Sequence, residues 1–214
     1  MNFAGLVAIV GKLPCFDLAL LMQSSSEKRE VLRVQLARWM KAGRLIGLRR
    51  GVYTLGADDR RTPPVPAVLA NLMYRPSYIS GLWALGHYDM IPEHVVWYTS
   101  VTPRMPRHFE NAEGVFDYRH VKQDLFFGYC EEPVAGGQAM LVAVPEKALL
   151  DYWHLSPGEW TAPRLEEMRY QNCGRVDERR LREFARRFRS PRLERAVVRW
   201  LDLARSEAEG TVVL

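Results

Sequence analysis

Apolar positions recur with two different periods in this chain of 214 residues. Over 13–23, the apolar Phe16, Leu18, Ala19, Leu20, Leu21 and Met22 predict a short, mostly buried helix. Ser24 and Glu27 follow at the S-x-x-E spacing of a capping box, which predicts that a second helix starts here. Its apolar Leu32, Leu36, Trp39 and Met40 share one face, and Gly43 is a natural stop. With Leu32 at 0° and about 100° per residue, Leu36, Trp39 and Met40 stand at about 40°, 340° and 80°. Arg33, Ala37, Lys41 and Arg38 fall at about 100°, 140°, 180° and 240°, so the outer face is basic and, at Ala37, small. Beyond Gly43 the period shortens: Leu45-Ile46-Gly47-Leu48 and Val52-Tyr53-Thr54-Leu55 flank Arg49-Arg50-Gly51, a β-hairpin with Gly51 in its turn and two arginines at its tip.

The charged, then proline-rich stretch 58–66 reads as a linker, which sets a domain boundary near 60. Beyond it, 65–74 predicts a helix, and Arg75-Pro76-Ser77-Tyr78-Ile79-Ser80 leads into an apolar helix through Trp83, Ala84, Leu85 and Tyr88. Strand-like runs at 95–101, 115–121, 125–129 and 140–144 precede a helix that Pro145-Glu146 opens and that runs to about Leu155. Towards the end, Leu181, Phe184, Ala185 and Phe188 line one helical face. After Ser190-Pro191, Leu193, Val197, Trp200 and Leu201 line another. The pattern predicts an α+β chain in three parts: a winged helix-turn-helix at 1–60, a mixed α/β domain at 61–158, and an arginine-rich helical subdomain at 159–214 packed on the second domain.

Composition narrows the class. Hydrophobic residues make up 48% and charged residues 26%, an ordinary globular balance, and no apolar run approaches the length of a membrane span. Residues 1–10 are apolar but lack a basic leader and a small-residue cleavage site, so the expectation is a cytoplasmic protein without a signal peptide. Cys15, Cys130 and Cys173 are widely spaced, with no CxxC pair, and read as reduced thiols. The net charge of +5 is uneven. Residues 1–61 carry 11 basic against 5 acidic side chains, 62–158 carry 6 against 10, and 159–214 carry 13 against 10. A basic front joined to a mildly acidic middle fits a nucleic-acid-binding module attached to a domain with another task.

In a winged helix-turn-helix the second helix of the pair enters the major groove while the hairpin lies over the neighbouring backbone or minor groove. Arg33, Arg38 and Lys41 are then the candidate contacts to the major groove and its phosphates. Arg49 and Arg50 are those to the minor groove or backbone, and Arg29 reaches phosphate near the helix start. Guanidinium groups suit this task because their fork matches phosphate and guanine edges, and Ala37 allows close approach. The same module also serves as a protein-docking unit, and an ordinary solvated helix face has the same charges.

Five ordered runs carry a family resemblance. They are the run from Gly43 to Tyr53 (GRLIGLRRGVY), Pro76-Ser77-Tyr78-Ile79-Ser80 with Ala84-Leu85, Tyr118-Arg119-His120-Val121-Lys122, Phe126-Phe127-Gly128-Tyr129, and Pro145-Glu146-Lys147-Ala148-Leu149-Leu150-Asp151. Over roughly 13–155 the chain resembles the AbiEi family, the antitoxins of AbiE-type toxin–antitoxin and phage abortive-infection systems. The resemblance implies a winged helix that represses its own operon at inverted repeats in double-stranded DNA. It also implies a following domain that antagonises a nucleotidyltransferase-fold toxin encoded next to it. Gly47 departs from the pattern, standing where the family's hairpin has a basic residue.

Nothing in the motifs calls for a cofactor or a metal, and the expectation is a protein that is not an enzyme. His87 and His94 do not form an H-E-x-x-H face. The sharpest catalytic alternative is a metal-dependent nuclease using Asp117, Glu146 and Lys147. Its acid and lysine would have to lie two apart on one strand face, whereas these two are adjacent behind the proline that opens a helix. Charge at a helix start for Glu146, and an i, i+4 pair of Lys147 with Asp151, explain them more simply. Tyr78, Trp83, Tyr88, Trp97 and Tyr98 read as packing rather than a base-stacking platform. Arg180, Arg182, Arg186, Arg187 and Arg189 read as a solvated helix face, with a second polyanion or partner surface as the sharper alternative.

Overall fold

The computed structural model describes residues 1–210. Its first element, α1 (Phe3–Val10), comes from the apolar run in which the sequence reading saw no element. Asn2 caps it by accepting from Gly5 N at 2.8 Å, and Phe3, Leu6 and Val10, one helical face, are buried. The helix expected over 13–23 is shorter. β1 (Phe16–Asp17) comes first, and Asp17 then caps α2 (Leu18–Ser24) by accepting from Leu20 N at 2.9 Å. This corrects the capping box: Ser24 closes α2 instead of opening the next helix, and the Glu27 carboxylate pairs with the Met1 ammonium group. α3 (Arg29–Lys41) starts from Lys28 with no side-chain cap.

Leu32 and Leu36 of α3 are buried, each worth roughly 1.5–3 kcal/mol against exposure. Met40, placed on the same stripe by the wheel, is instead 37% exposed. The apolar stripe turns off the core in the last turn, where Trp39 alone packs inward, edge-on to Phe3 at 5.3 Å between centroids. Gly43 (φ +72°) ends the helix as expected. Its N–H donates to Met40 O at 3.0 Å and that of Arg44 to Trp39 O at 2.9 Å, the paired bonds of a Schellman turn. The hairpin follows: β2 (Leu45–Arg49) and β3 (Val52–Leu55) pair antiparallel around Gly51 (φ +81°), with a register shift between Gly47 and Arg49. β1 adds to the far side of β3, Phe16 opposite Tyr53 and Asp17 opposite Val52. Helices and three-stranded sheet enclose a core of their own, centred on Leu6, Phe16, Leu21, Leu32, Leu36 and Leu45.

The second part is built on a six-stranded mixed sheet. In chain order its elements are α4 (Pro66–Met73), β4 (Tyr78–Ile79), α5 (Gly81–His87), β5 (Trp97–Thr102), β6 (Arg107–Asn111), β7 (Gly114–His120), β8 (Tyr129–Val134), β9 (Gln138–Ala143) and α6 (Pro145–Leu155). The strands lie in the order β6-β7-β5-β4-β9-β8, with β5 parallel to β7 and β4 parallel to β9. Alternation sends Tyr118 to one face, where its hydroxyl donates to Ala70 O of α4 at 2.6 Å. Tyr78 goes to the other face, where its hydroxyl donates to Asp151 of α6 at 3.0 Å. The run 125–129 is not a strand. It forms a tight turn at Gln123–Leu125 and a loop through Gly128 (φ +72°). Phe126 and Phe127 there send their rings to different neighbours, Tyr78 and Phe184. The two edge strands, β6 and β8, had no sequence prediction.

The stretch 58–66 is not a loose tether. Arg44 pairs with Asp59 at 2.9 Å and Arg60 with Glu113 at 3.0 Å, while Gln138 holds Val65 N and Pro63 O. Asn111 of β6 donates to Leu48 O of the hairpin at 2.9 Å, so the first part is docked on the edge of the large sheet. At the other end, α7 (Ala162–Glu166), α8 (Glu178–Phe188) and α9 (Pro191–Gly210) share one hydrophobic core with the sheet and α6. The indoles of Trp153, Trp160 and Trp200 meet there; Trp153 Nε1 donates to the Tyr170 hydroxyl at 3.0 Å and Trp160 Nε1 to Trp153 O at 3.1 Å.

Candidate nucleic-acid interface

Burial of Leu32 and Leu36 turns the opposite side of α3 outward. That side carries Arg33, Arg38 and Lys41, all exposed, with Ala37, Val34 and the acidic Glu30 between them, while Arg29, also exposed, stands at the helix start nearer the Leu36 edge. Val34 is 61% exposed, a branched apolar side chain in the middle of a basic face. Sequence reasoning gave Val34 no base-reading role, and Val31, 41% exposed, is a second outward valine of the same helix. Among the described residues none of the four basic side chains makes a hydrogen bond or ion pair, and neither does Glu30, the helix's own acid. A charge that stays in water with no partner gains nothing for the fold and loses little when it transfers to an external anion.

The hairpin divides its two arginines. Arg50 is exposed at the tip, without a side-chain partner among the described residues. Arg49, expected to reach out with it, is half-buried and turned back: its Nε donates to the Met73 carbonyl and its Nη1 to the Arg50 carbonyl at 3.1 Å. Met73 ends α4, whose last carbonyls lack helical partners, so a guanidinium is held there by hydrogen bonding and by the helix dipole. Arg49 therefore faces the junction of the two parts. It lies beside Arg75 and Arg104, neither of which sequence reasoning had singled out, and Arg104 donates to Arg75 O at 2.8 Å. The structure thus leaves Arg29, Arg33, Arg38 and Lys41 unpaired on one helix and Arg50 unpaired at the hairpin tip, and turns Arg49 inward.

The arginines of the C-terminal helices are differently employed. Arg182 and Arg205 converge on Glu178, Arg195 and Arg199 on Glu159, and Arg180 on the buried Glu146 at 2.9 Å. Arg192 donates to four carbonyls around the end of α6, those of Trp153, His154, Ser156 and Gly158. The guanidinium of Arg187 lies over the Phe127 ring, 3.3 Å from its centroid. The Arg195 and Arg199 guanidinium groups hold the Glu159 carboxyl down at about 2. Arg180, Arg182 and Arg187, read from the sequence as a solvated face, thus have internal partners.

The polar residues weighed for catalysis lie apart. Lys147 and Asp151 pair on α6 with both side chains fully buried, and Asp151 also accepts from Tyr78 and from Ser80 Oγ at 2.8 Å. Burial pushes the Lys147 ammonium below its usual range against the opposing pull of Asp151, and pushes the Tyr78 phenol up. Phe127 and Phe188 close over the ammonium at 5.0 Å each. Glu146 does more than favour a helix start, since it accepts from Asp177 N at 2.7 Å and so ties α8 to α6. Asp117 sits on β7 near His108 and Arg119, each at 3.8 Å, and has no contact with Glu146 or Lys147. Among the described residues no cluster of three His, Cys, Asp or Glu is placed to hold a metal ion, and no helix is long and apolar enough to cross a membrane.

No family model matches the chain, and no curated protein does.

Proposed function

We propose that this chain is a DNA-binding antitoxin and transcriptional autorepressor of a toxin–antitoxin operon, acting in the cytoplasm without enzymatic activity of its own. The observation that carries the DNA-binding part is α3, where the exposed Arg29, Arg33, Arg38 and Lys41 have no protein partner among the described residues, as the exposed Arg50 at the hairpin tip has none. The order helix, strand, helix, helix, strand, strand around a separate small core is that of a winged helix-turn-helix, which supports reading α3 as the helix that enters the major groove. In that pose Val34 and Ala37 meet base edges, where an apolar side chain suits a thymine methyl, and the flanking cations meet phosphates. The antitoxin part rests on the five runs that resemble the AbiEi family. It makes inverted repeats upstream of the operon the DNA partner and a nucleotidyltransferase-type toxin the protein partner.

Fluorescence anisotropy of the whole protein against a duplex from its upstream region and a scrambled duplex, over a salt series, tests this. The expected result is a preference of about 10³-fold or more for the native duplex, with affinity falling steeply as salt rises. Equal, weak binding to both removes the repressor reading. Co-purification with the neighbouring gene product in that event leaves a winged-helix docking module acting by binding its toxin. A nuclease would instead show magnesium-dependent cleavage that Glu146→Ala abolishes.

A further inference from the structure

At the junction of the two parts lies an open cleft of about 330 Å³, many times the volume of one water. One wall comes from the front part, with Cys15, Asp17 and Arg49; the other comes from the second part, with Leu72, Arg75 and Arg104. Three arginines and a single acidic residue thus line the cleft, and Asp17 Oδ1 already caps α2 by accepting from Leu20 N. The arginines are held from behind. Arg49 is tied to Met73 O and Arg50 O, and Arg104 to Arg75 O while lying over the Tyr74 ring at 4.5 Å. The Arg75 side chain has no hydrogen bond or ion pair among the described residues. Most of the N–H donors of the three forks are left without a protein acceptor.

We propose that this cleft seats a backbone phosphate of the duplex that lies on α3, extending the footprint from the wing onto the second part of the chain. The inference rests on the DNA-binding reading above. Its position favours a strand passing the wing over a free small anion. Arg49 and Val52 are cross-strand partners at the hairpin end, Asp17 pairs with Val52 from the other side, and the exposed Arg50 is the next residue. A phosphate that leaves Arg50 therefore meets the cleft next. Guanidinium forks fixed in place by carbonyls bind a phosphate with little further loss of side-chain freedom.

The test is a salt-series titration of the full chain with the native and scrambled duplexes, comparing wild type with Arg75→Ala, Arg75→Glu and the pair Arg75→Ala/Arg104→Ala. Arg75→Ala removes no internal bond, so its melting temperature stays at the wild-type value and its binding can be read directly. The expected result is a loss of about tenfold on both duplexes for the double variant, a slope of log affinity on log salt shallower by about one unit, and unchanged preference for the native duplex. Arg75→Glu should lose more than Arg75→Ala. An unchanged slope in all three variants, while Arg33→Ala/Arg38→Ala loses affinity, overturns the cleft assignment and leaves the α3 reading standing. Absence of duplex binding by wild type at every salt overturns both. Inorganic pyrophosphate titrated into the free protein by calorimetry provides the last arm: binding that Arg75→Ala abolishes, with the duplex slopes unchanged, reassigns the cleft to a free anion and overturns the proposal.

Discussion

The chain has two arginine-rich surfaces, and they are made differently. On α8 and α9 the guanidinium groups are consumed internally: Glu178, Glu159, Glu146 and the last carbonyls of α6 take most of them. On α3 the basic side chains have no acceptor within reach, and the one acid of that helix pairs with none of them. The two places hold similar numbers of basic residues, 13 at the end and 11 at the front, but the end has 10 acidic residues to set against them and the front 5. Arginine content therefore says little about binding until the partner of each side chain is known. A guanidinium whose charge a carboxylate already neutralises gains little from a phosphate unless that pair is broken, whereas one in water exchanges only solvent and counterions.

The contrast can be challenged by removing charges of each kind. The largest effect is expected from Asp151→Ala, which strands the Lys147 ammonium in a fully buried, aromatic-walled site; the loss should be about 3–5 kcal/mol in urea unfolding. Next, Arg33→Ala/Arg38→Ala/Lys41→Ala should weaken duplex binding about a hundredfold near physiological salt and flatten the salt slope by about three units. Its melting temperature should stay unchanged, because no internal contact is lost; a marked fall would mean that these side chains serve the fold. Arg192→Ala should do the reverse, leaving the duplex salt slope alone while costing about 2–3 kcal/mol of stability through the His154, Ser156 and Gly158 carbonyls it leaves without that donor.

The smallest effect is in the pH dependence. Glu159, with a folded-state value near 2 against an ordinary 4.5, stabilises the fold above its unfolded value, and that contribution is lost as pH falls from about 4.5 towards 2. Glu159→Gln should flatten the melting-temperature profile in that window and leave it unaltered near neutrality apart from a constant offset. A profile identical to wild type between those values would show that Arg195 and Arg199 hold the carboxylate only weakly.

Much of the fold was readable where the local pattern was strong. The helix opened by Pro145 ends at Leu155 as expected, the Gly43 stop and Gly51 turn hold, and the stripe Leu193, Val197, Trp200 and Leu201 is buried. What escaped had weak local signals. The edge strands β6 (RHFEN) and β8 (YCEEPV) are polar, and Pro133 lies in β8; a strand with a neighbour on one side only needs neither an apolar run nor every amide. The capping-box spacing at Ser24 was genuine as a pattern but lost to the continuation of α2 and to the Met1 ammonium group, which took Glu27.

For the candidate site, the periodicity of α3 was enough to put Arg33, Ala37, Arg38 and Lys41 on the face away from Leu32 and Leu36, since a helix converts spacing directly into direction. The hairpin pattern likewise placed Arg49 and Arg50 at its tip. Spacing could not say that Arg49 turns back to the end of α4, or that Arg75 and Arg104, 26 and 55 positions further on, meet it across a cleft. Nor could it pair Tyr78 and Ser80 with Asp151, more than 70 residues away. Local pattern determines the element and its outward face because both depend on neighbours within a few residues. The partner that a charge finds depends on which distant segments pack together, and here that was settled by the docking of the hairpin on the large sheet and of the C-terminal helices on α6.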